Sequence, residues 1–157
     1  MVDQKGHRFE ILGFPTNNFG LQEPAPNSKI LDCVKHINPG NGYVPNFPMF
    51  QKADCNGANE QPHFTYLKSC CPSINDVVGD RTRMYWNPVK NSDIRWNFEK
   101  FLVDPEGKAV KRFSSYVTPE DLESVIDDFI MNWTPTTRDH TSGARSSRDS
   151  GLLSWLN

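Results

Sequence analysis

The apolar positions change their spacing several times along the chain, and each change marks an element. Phe9–Phe14 is an apolar run interrupted only by Glu10 and Gly13. It reads as an interior strand buried on both faces, of the kind found in parallel or mixed sheets. Pro15, Asn17, Asn18 and Gly20 stop it at a defined place. Over residues 27–37, Ile30, Cys33, Val34 and Ile37 recur at i, i+3, i+4 and i+7, which predicts a helix with one apolar face. The Pro/Gly-rich stretch 38–50 is loop. A short helix is predicted around 62–71, with Phe64, Leu67 and Cys71 on one side and Pro72 just beyond. Residues 72–93 are polar and irregular apart from Met84, Tyr85 and Trp86.

Asn97–Val103 is strand-like and aromatic. Asp104-Pro105-Glu106-Gly107 has the signature of a type I turn, and Ala109–Phe113 returns as the partner strand. The last helix is the best specified. Thr118 caps it, Pro119 opens it, Asp121 completes a capping box, and Leu122, Val125, Ile126, Phe129, Ile130 and Trp133 form one stripe. The order strand, helix, loop, helix, hairpin, helix predicts an α/β mixed sheet flanked by helices. Residues 1–133 are expected to form one partial domain. Residues 134–157, rich in Thr, Ser, Arg and Asp, are expected to be a disordered tail.

The 157 residues suffice for one core. With 17 basic and 19 acidic residues and no basic run, nucleic acid is not an expected partner. The apolar runs are too short for a membrane span, and Met1–His7 has no apolar stretch of the signal-peptide kind. The sequon at Asn132, followed by Pro135, is read as chance. Cys55, His63, Cys70 and Cys71 match no structural-zinc spacing, so no metal or other cofactor is expected.

Four stretches together resemble the glutathione peroxidase family: ILGFPTNNFGLQEP, GYVPNFPMF, DIRWNFEKFLVDPEGKAVKRF and the capped helix that follows. The resemblance covers roughly residues 6–130. It implies a thioredoxin-like fold lacking its first strand and most of its first helix. It also implies reduction of hydrogen peroxide or organic hydroperoxides at a selenocysteine or cysteine, with glutathione or another thiol as co-substrate. The chemistry explains a gathering of amides. The reactive species is a chalcogen anion, and indole and carboxamide N–H groups donate to it without titrating near neutral pH. By motif, the donors carried over are Trp96, Asn97 and, at the family's glutamine position, Asn18.

Three departures qualify the resemblance. The nucleophile, which the family carries upstream of ILGFP, is absent from the chain. Asn18 is one methylene shorter than glutamine. Asn38, Ser115 and Tyr116 stand where glutathione-dependent members carry arginines, although Lys111 and Arg112 are nearby. Cys33 lies two positions before the resolving cysteine of thioredoxin-dependent members, about 200° away around a helix, and is expected to be a core thiol.

The resulting expectation is a peroxidase-family chain inactive as it stands. The frame upstream of Met1 is expected to encode the missing strand and nucleophile. The alternatives are a short form acting as a binding or regulatory subunit, and a thioredoxin-like adaptor. The segment 60–93, present in longer family members, implies a homotetramer or homodimer. The RWNF-type wording is shared by extracellular and cytosolic members.

Overall fold

The computed structural model describes residues 8–135 and the backbone of 154–156. In chain order the elements are β1 (Glu10–Leu12), α1 (Asn27–His36), α2 (Pro62–Cys70), a 3-10 turn (Arg81–Arg83), β2 (Lys100–Val103), β3 (Ala109–Phe113), α3 (Pro119–Asn132) and β4 (Ser154–Leu156). The sheet runs β1-β4-β2-β3. The β1–β4 pair is parallel, and the β4–β2 and β2–β3 pairs are antiparallel.

Two apolar layers cover the two faces. Phe101 and Val103 of β2 join Phe19, Phe64, Leu67 and Ile94 on the α2 side. Leu102 joins Phe9, Phe113, Leu122 and Ile126 on the α3 side. This split follows from the two-residue period of a strand, which sends alternate side chains to opposite faces. Helix α3 begins as expected: the Thr118 side chain accepts from the Asp121 backbone N–H, and the Asp121 carboxylate accepts from the Thr118 N–H at 2.9 Å. The hairpin turn is also as expected. Gly107 takes φ 83°, and Asp104 Oδ1 accepts from the N–H groups of Glu106 and Lys108.

Four expectations need correction. β1 is three residues long and half-buried, because at Gly13 the chain turns to pair with 48–50. A Cβ at Gly13 would collide with the Met49 sulfur, so a larger residue here would have to displace the Met49 side chain. β2 begins at Lys100, not Asn97, because Phe98 adopts φ 64° and Arg95 N–H closes onto Glu99 Oε1 at 2.6 Å. Cys33 is half-buried and belongs to neither core layer; Val34 beside it lines a groove, and Ile37 is exposed. Finally, 154–156 of the expected disordered tail forms β4, whose backbone pairs in parallel with β1 and antiparallel with β2. Most of the expected tail, 136–153, lies outside the described residues.

Candidate active site

The loop after β1 is shaped by its two asparagines. Asn17 Oδ1 accepts from the Glu23 N–H at 3.0 Å and closes the turn. Asn18 faces inward and is 2% exposed. Its Nδ2 donates to Asp54 Oδ1 at 3.0 Å. Its Oδ1 accepts from Thr16 Oγ1 and from the backbone N–H groups of Cys55 and Asn56. Asn18 thus anchors the loop to 54–56. Phe19 is buried and touches Trp96 and Trp86 by ring contacts. The chain then turns through Gly20 (φ 60°) and Leu21 (φ 52°) to present Gln22.

The second half of the site is the turn before β2. Asn56 fixes it from below: Nδ2 donates to the Ile94 carbonyl at 2.9 Å, and Oδ1 accepts from the Ile94 N–H at 3.0 Å. Two buried cations hold its approach. Lys68 Nζ donates to the Cys55 carbonyl, Asn56 Oδ1, Glu60 and Asp93 Oδ1. The other oxygen of Asp93 accepts from Trp86 Nε1 and the Lys90 N–H, each at 2.8 Å. Arg112 on β3 pairs with Glu99 at 2.7 Å and donates to the carbonyls of Ser92 and Asp93 at 2.9 Å.

These supports bring Asn97 and Gln22 together across 75 residues of sequence, with Asn97 Nδ2 donating to Gln22 Oε1 at 2.7 Å. Trp96 lies beside them, half-buried, with the Arg83 guanidinium 4.8 Å from its ring centre. Gln22, Trp96, Asn97, Thr16 and Cys55 line one groove of about 710 Å³. Each amide follows or precedes a bulky residue with left-handed backbone, Leu21 and Phe98. Both of these are exposed, at 46% and 65%, so no core packing rewards the geometry. Such conformations cost on the order of 1–3 kcal/mol each and gather at functional sites.

Of the three residues expected from sequence, Trp96 and Asn97 therefore line the groove together, whereas the amide of Asn18 is committed to 54–56. Gln22 is the addition. Its signal was an amide inside FPxNxFGxQEP, directly after a glycine-led turn. Cys55 lines the groove but does not supply a ready thiolate. Burial pushes its pKa up to about 12, and its thiol points to Asn18 Oδ1 at 3.4 Å. Burial also raises the Cys71 thiol, while Cys70 is exposed. Among the described residues no group of three His, Cys, Asp or Glu could hold a metal ion, and no helix is long and apolar enough to cross a membrane.

A mixed sheet with a helix-backed apolar layer on each face is the architecture of a thioredoxin-like protein. The family profile described as glutathione peroxidase matches residues 2–68. Glutathione peroxidase 3 of Hylobates lar is 49% identical over 116 residues, covering 74% of this chain and 51% of that protein. Glutathione peroxidase 6 of Mus musculus is 48% identical over 126 residues, covering 80% and 57%. The crystal structure of T. cruzi GPX1 superposes with a TM-score of 0.54 at 26% identity, over 82% of this chain and 65% of that one. The chain belongs to the glutathione peroxidase family, and it spans about half the length of the curated relatives it matches.

Proposed function

We propose that the groove at Trp96, Asn97 and Gln22 is the donor half of a hydroperoxide-reducing site, and that this chain does not carry the nucleophile such a site serves. In the reaction the family implies, a thiolate or selenolate attacks one peroxide oxygen. A chalcogen–oxygen bond forms, the O–O bond breaks, and the departing oxygen leaves as water or alcohol after taking a proton. The resulting sulfenic or selenenic acid is reduced by two thiol equivalents, which leave as a disulfide while its oxygen leaves as water and the chalcogen is regenerated. The part played by this chain's residues is electrostatic. The Trp96 indole N–H and the second N–H of the Asn97 amide stabilise the anion without titrating. Gln22, which accepts from Asn97, holds that amide in place.

The observation that carries this reading is the pair of left-handed residues, Leu21 and Phe98, each set against one member of the amide pair. A purely structural turn has no need of strain at both ends of one hydrogen bond. Asn18 enters the proposal as the residue that fixes the loop bearing Gln22.

The test joins this chain to the upstream half of a full-length family member and measures peroxide reduction in single turnover. Trp96→Phe and Asn97→Ala are each expected to slow the oxidation step by about 10–10³-fold, by analogy with removal of one preorganised donor. Asn18→Gln is expected to leave it within a few-fold. Unchanged rates in both the Trp96 and Asn97 variants would make them packing residues and remove the proposal.

A further inference from the structure

One side chain of the polar, irregular stretch 72–93 reaches the amide pair. The turn Arg81–Arg83 is capped by Asp80, whose carboxylate accepts from the Thr82 N–H and hydroxyl. Beyond the turn the chain runs alongside the loop that follows β1. The Gly20 N–H donates to the Arg83 carbonyl at 2.8 Å, and the Tyr85 N–H donates to the Asn18 carbonyl at 2.9 Å. Phe19 and Met84 form a bridge between these two bonds. Arg83 is thereby fixed opposite Gly20, close in sequence to Gln22.

Two separate distances place its guanidinium. The guanidinium carbon lies 4.8 Å from the centre of the Trp96 ring. A Cβ built on Gly20 would lie 3.4 Å from Gln22 Cγ and 3.7 Å from Arg83 Nη2, so the cation and Gln22 flank the same point of the turn. Arg83 therefore stands over Trp96 and beside the amide that holds Asn97. The carboxylate that feels its charge is Asp80, which is already hydrogen-bonded to Thr82. The two tryptophans that touch Phe19 differ in the use of their indoles. Trp86 Nε1 donates to Asp93 Oδ2 at 2.8 Å. It is the other ring, Trp96, that carries the cation.

On the reading of this groove as a donor site, we propose that Arg83 is a positioning residue for it: stacked on Trp96, the guanidinium fixes the ring and strengthens the indole N–H as a donor to the chalcogen anion. A cation is attracted to the negative face of an aromatic ring. It draws π density towards itself and leaves the ring edge, N–H included, more positive. Arginine suits the task because its planar head stacks and stays charged at every working pH. The residue lies outside the sequence motifs that mark Trp96, Asn97 and Gln22. Its place follows from the pairing of 83–85 with 18–20.

Arg83→Met separates charge from packing, since methionine still covers the ring. In the isotope-labelled 157-residue chain, the indole N–H resonance missing from Trp96→Phe identifies Trp96. It should move upfield in Arg83→Met and return most of the way in Arg83→Lys, while the other indole resonances move far less. In the joined protein used for the peroxide test, Arg83→Met should slow the oxidation step about two- to fivefold. The apparent pKa of the nucleophile, read from the pH dependence of its alkylation, should rise by about 0.3–0.7 pH unit. Arg83→Lys should restore most of both. Because Arg83 is exposed, both effects should fade as salt rises from about 0.01 M to about 1 M. In a Trp96→Phe background, Arg83→Met should have no further effect. An effect that persists there, or an unmoved Trp96 resonance in the chain alone, overturns the proposal. A loss with Trp96→Phe but none with Arg83→Met leaves the groove reading standing and overturns the role of Arg83 alone. Unchanged rates with both Trp96→Phe and Asn97→Ala overturn the groove reading and the role of Arg83 with it.

Discussion

Arg112→Ala is expected to lower the free energy of unfolding by about 3–5 kcal/mol, the usual cost of removing one partner of a buried ion pair. The Arg112 and Glu99 side chains are each 1% exposed and lie 2.7 Å apart. Alanine strands the Glu99 carboxylate in the interior. It also strips donors from the carbonyls of Ser92 and Asp93, where the chain approaches Trp96 and Asn97. The effect is one of unpaired charge, not of net attraction within the pair. The double variant Arg112→Met with Glu99→Gln should therefore recover at least half of the loss, since glutamine still accepts from the Arg95 N–H. Urea unfolding followed by far-UV circular dichroism measures both. A loss below about 1 kcal/mol for the single variant would mean that water reaches this pair, contrary to its burial.

The folded chain is expected to alkylate at Cys55 about 10³-fold or more slowly than at Cys70 at pH 7. With a pKa of about 12, only about one Cys55 in 10⁵ is thiolate at that pH, against a few per cent for an ordinary thiol. Burial obstructs the reagent as well. Iodoacetamide labelling followed by mass spectrometry gives the ratio, and urea should bring the two residues within a few-fold of each other. The same shift has a pH consequence. The raised value favours the protonated folded state, so its contribution to stability is full below pH 9. It is lost as pH rises from 9 towards about 12. Rapid labelling of Cys55 in the folded chain would contradict its placement between Asn18 and the core.

What could be read from the sequence was what local chemistry decides. The capping box at Thr118 and Asp121, the stripe of α3 and the Asp104–Gly107 turn are settled by residues a few positions apart, and they appear where expected. The fold class followed from their order together with the motif resemblance. Trp96 and Asn97 were marked by that motif. What was not legible depends on partners far away. The direction of the Asn18 side chain is set by donors and acceptors at 54–56, 36–38 residues further on. The start of β2 is set by Phe98 taking a backbone conformation its side chain disfavours, which no apolar pattern encodes. β4 was missed because three residues in a polar tail carry no periodicity. Their place becomes visible only once β1 and β2 stand apart with a slot between them.

The proposed donor groove without a nucleophile of its own is checked by hydrogen peroxide consumption by the 157-residue chain with glutathione, beside a full-length glutathione peroxidase under the same conditions. A slow rate, first order in peroxide and no faster than that of the same chain unfolded in urea, is expected, since the Cys55 and Cys71 thiols are buried and protonated in the folded chain. Saturable turnover that requires the folded chain would contradict it and would place a reactive thiol at the groove after all.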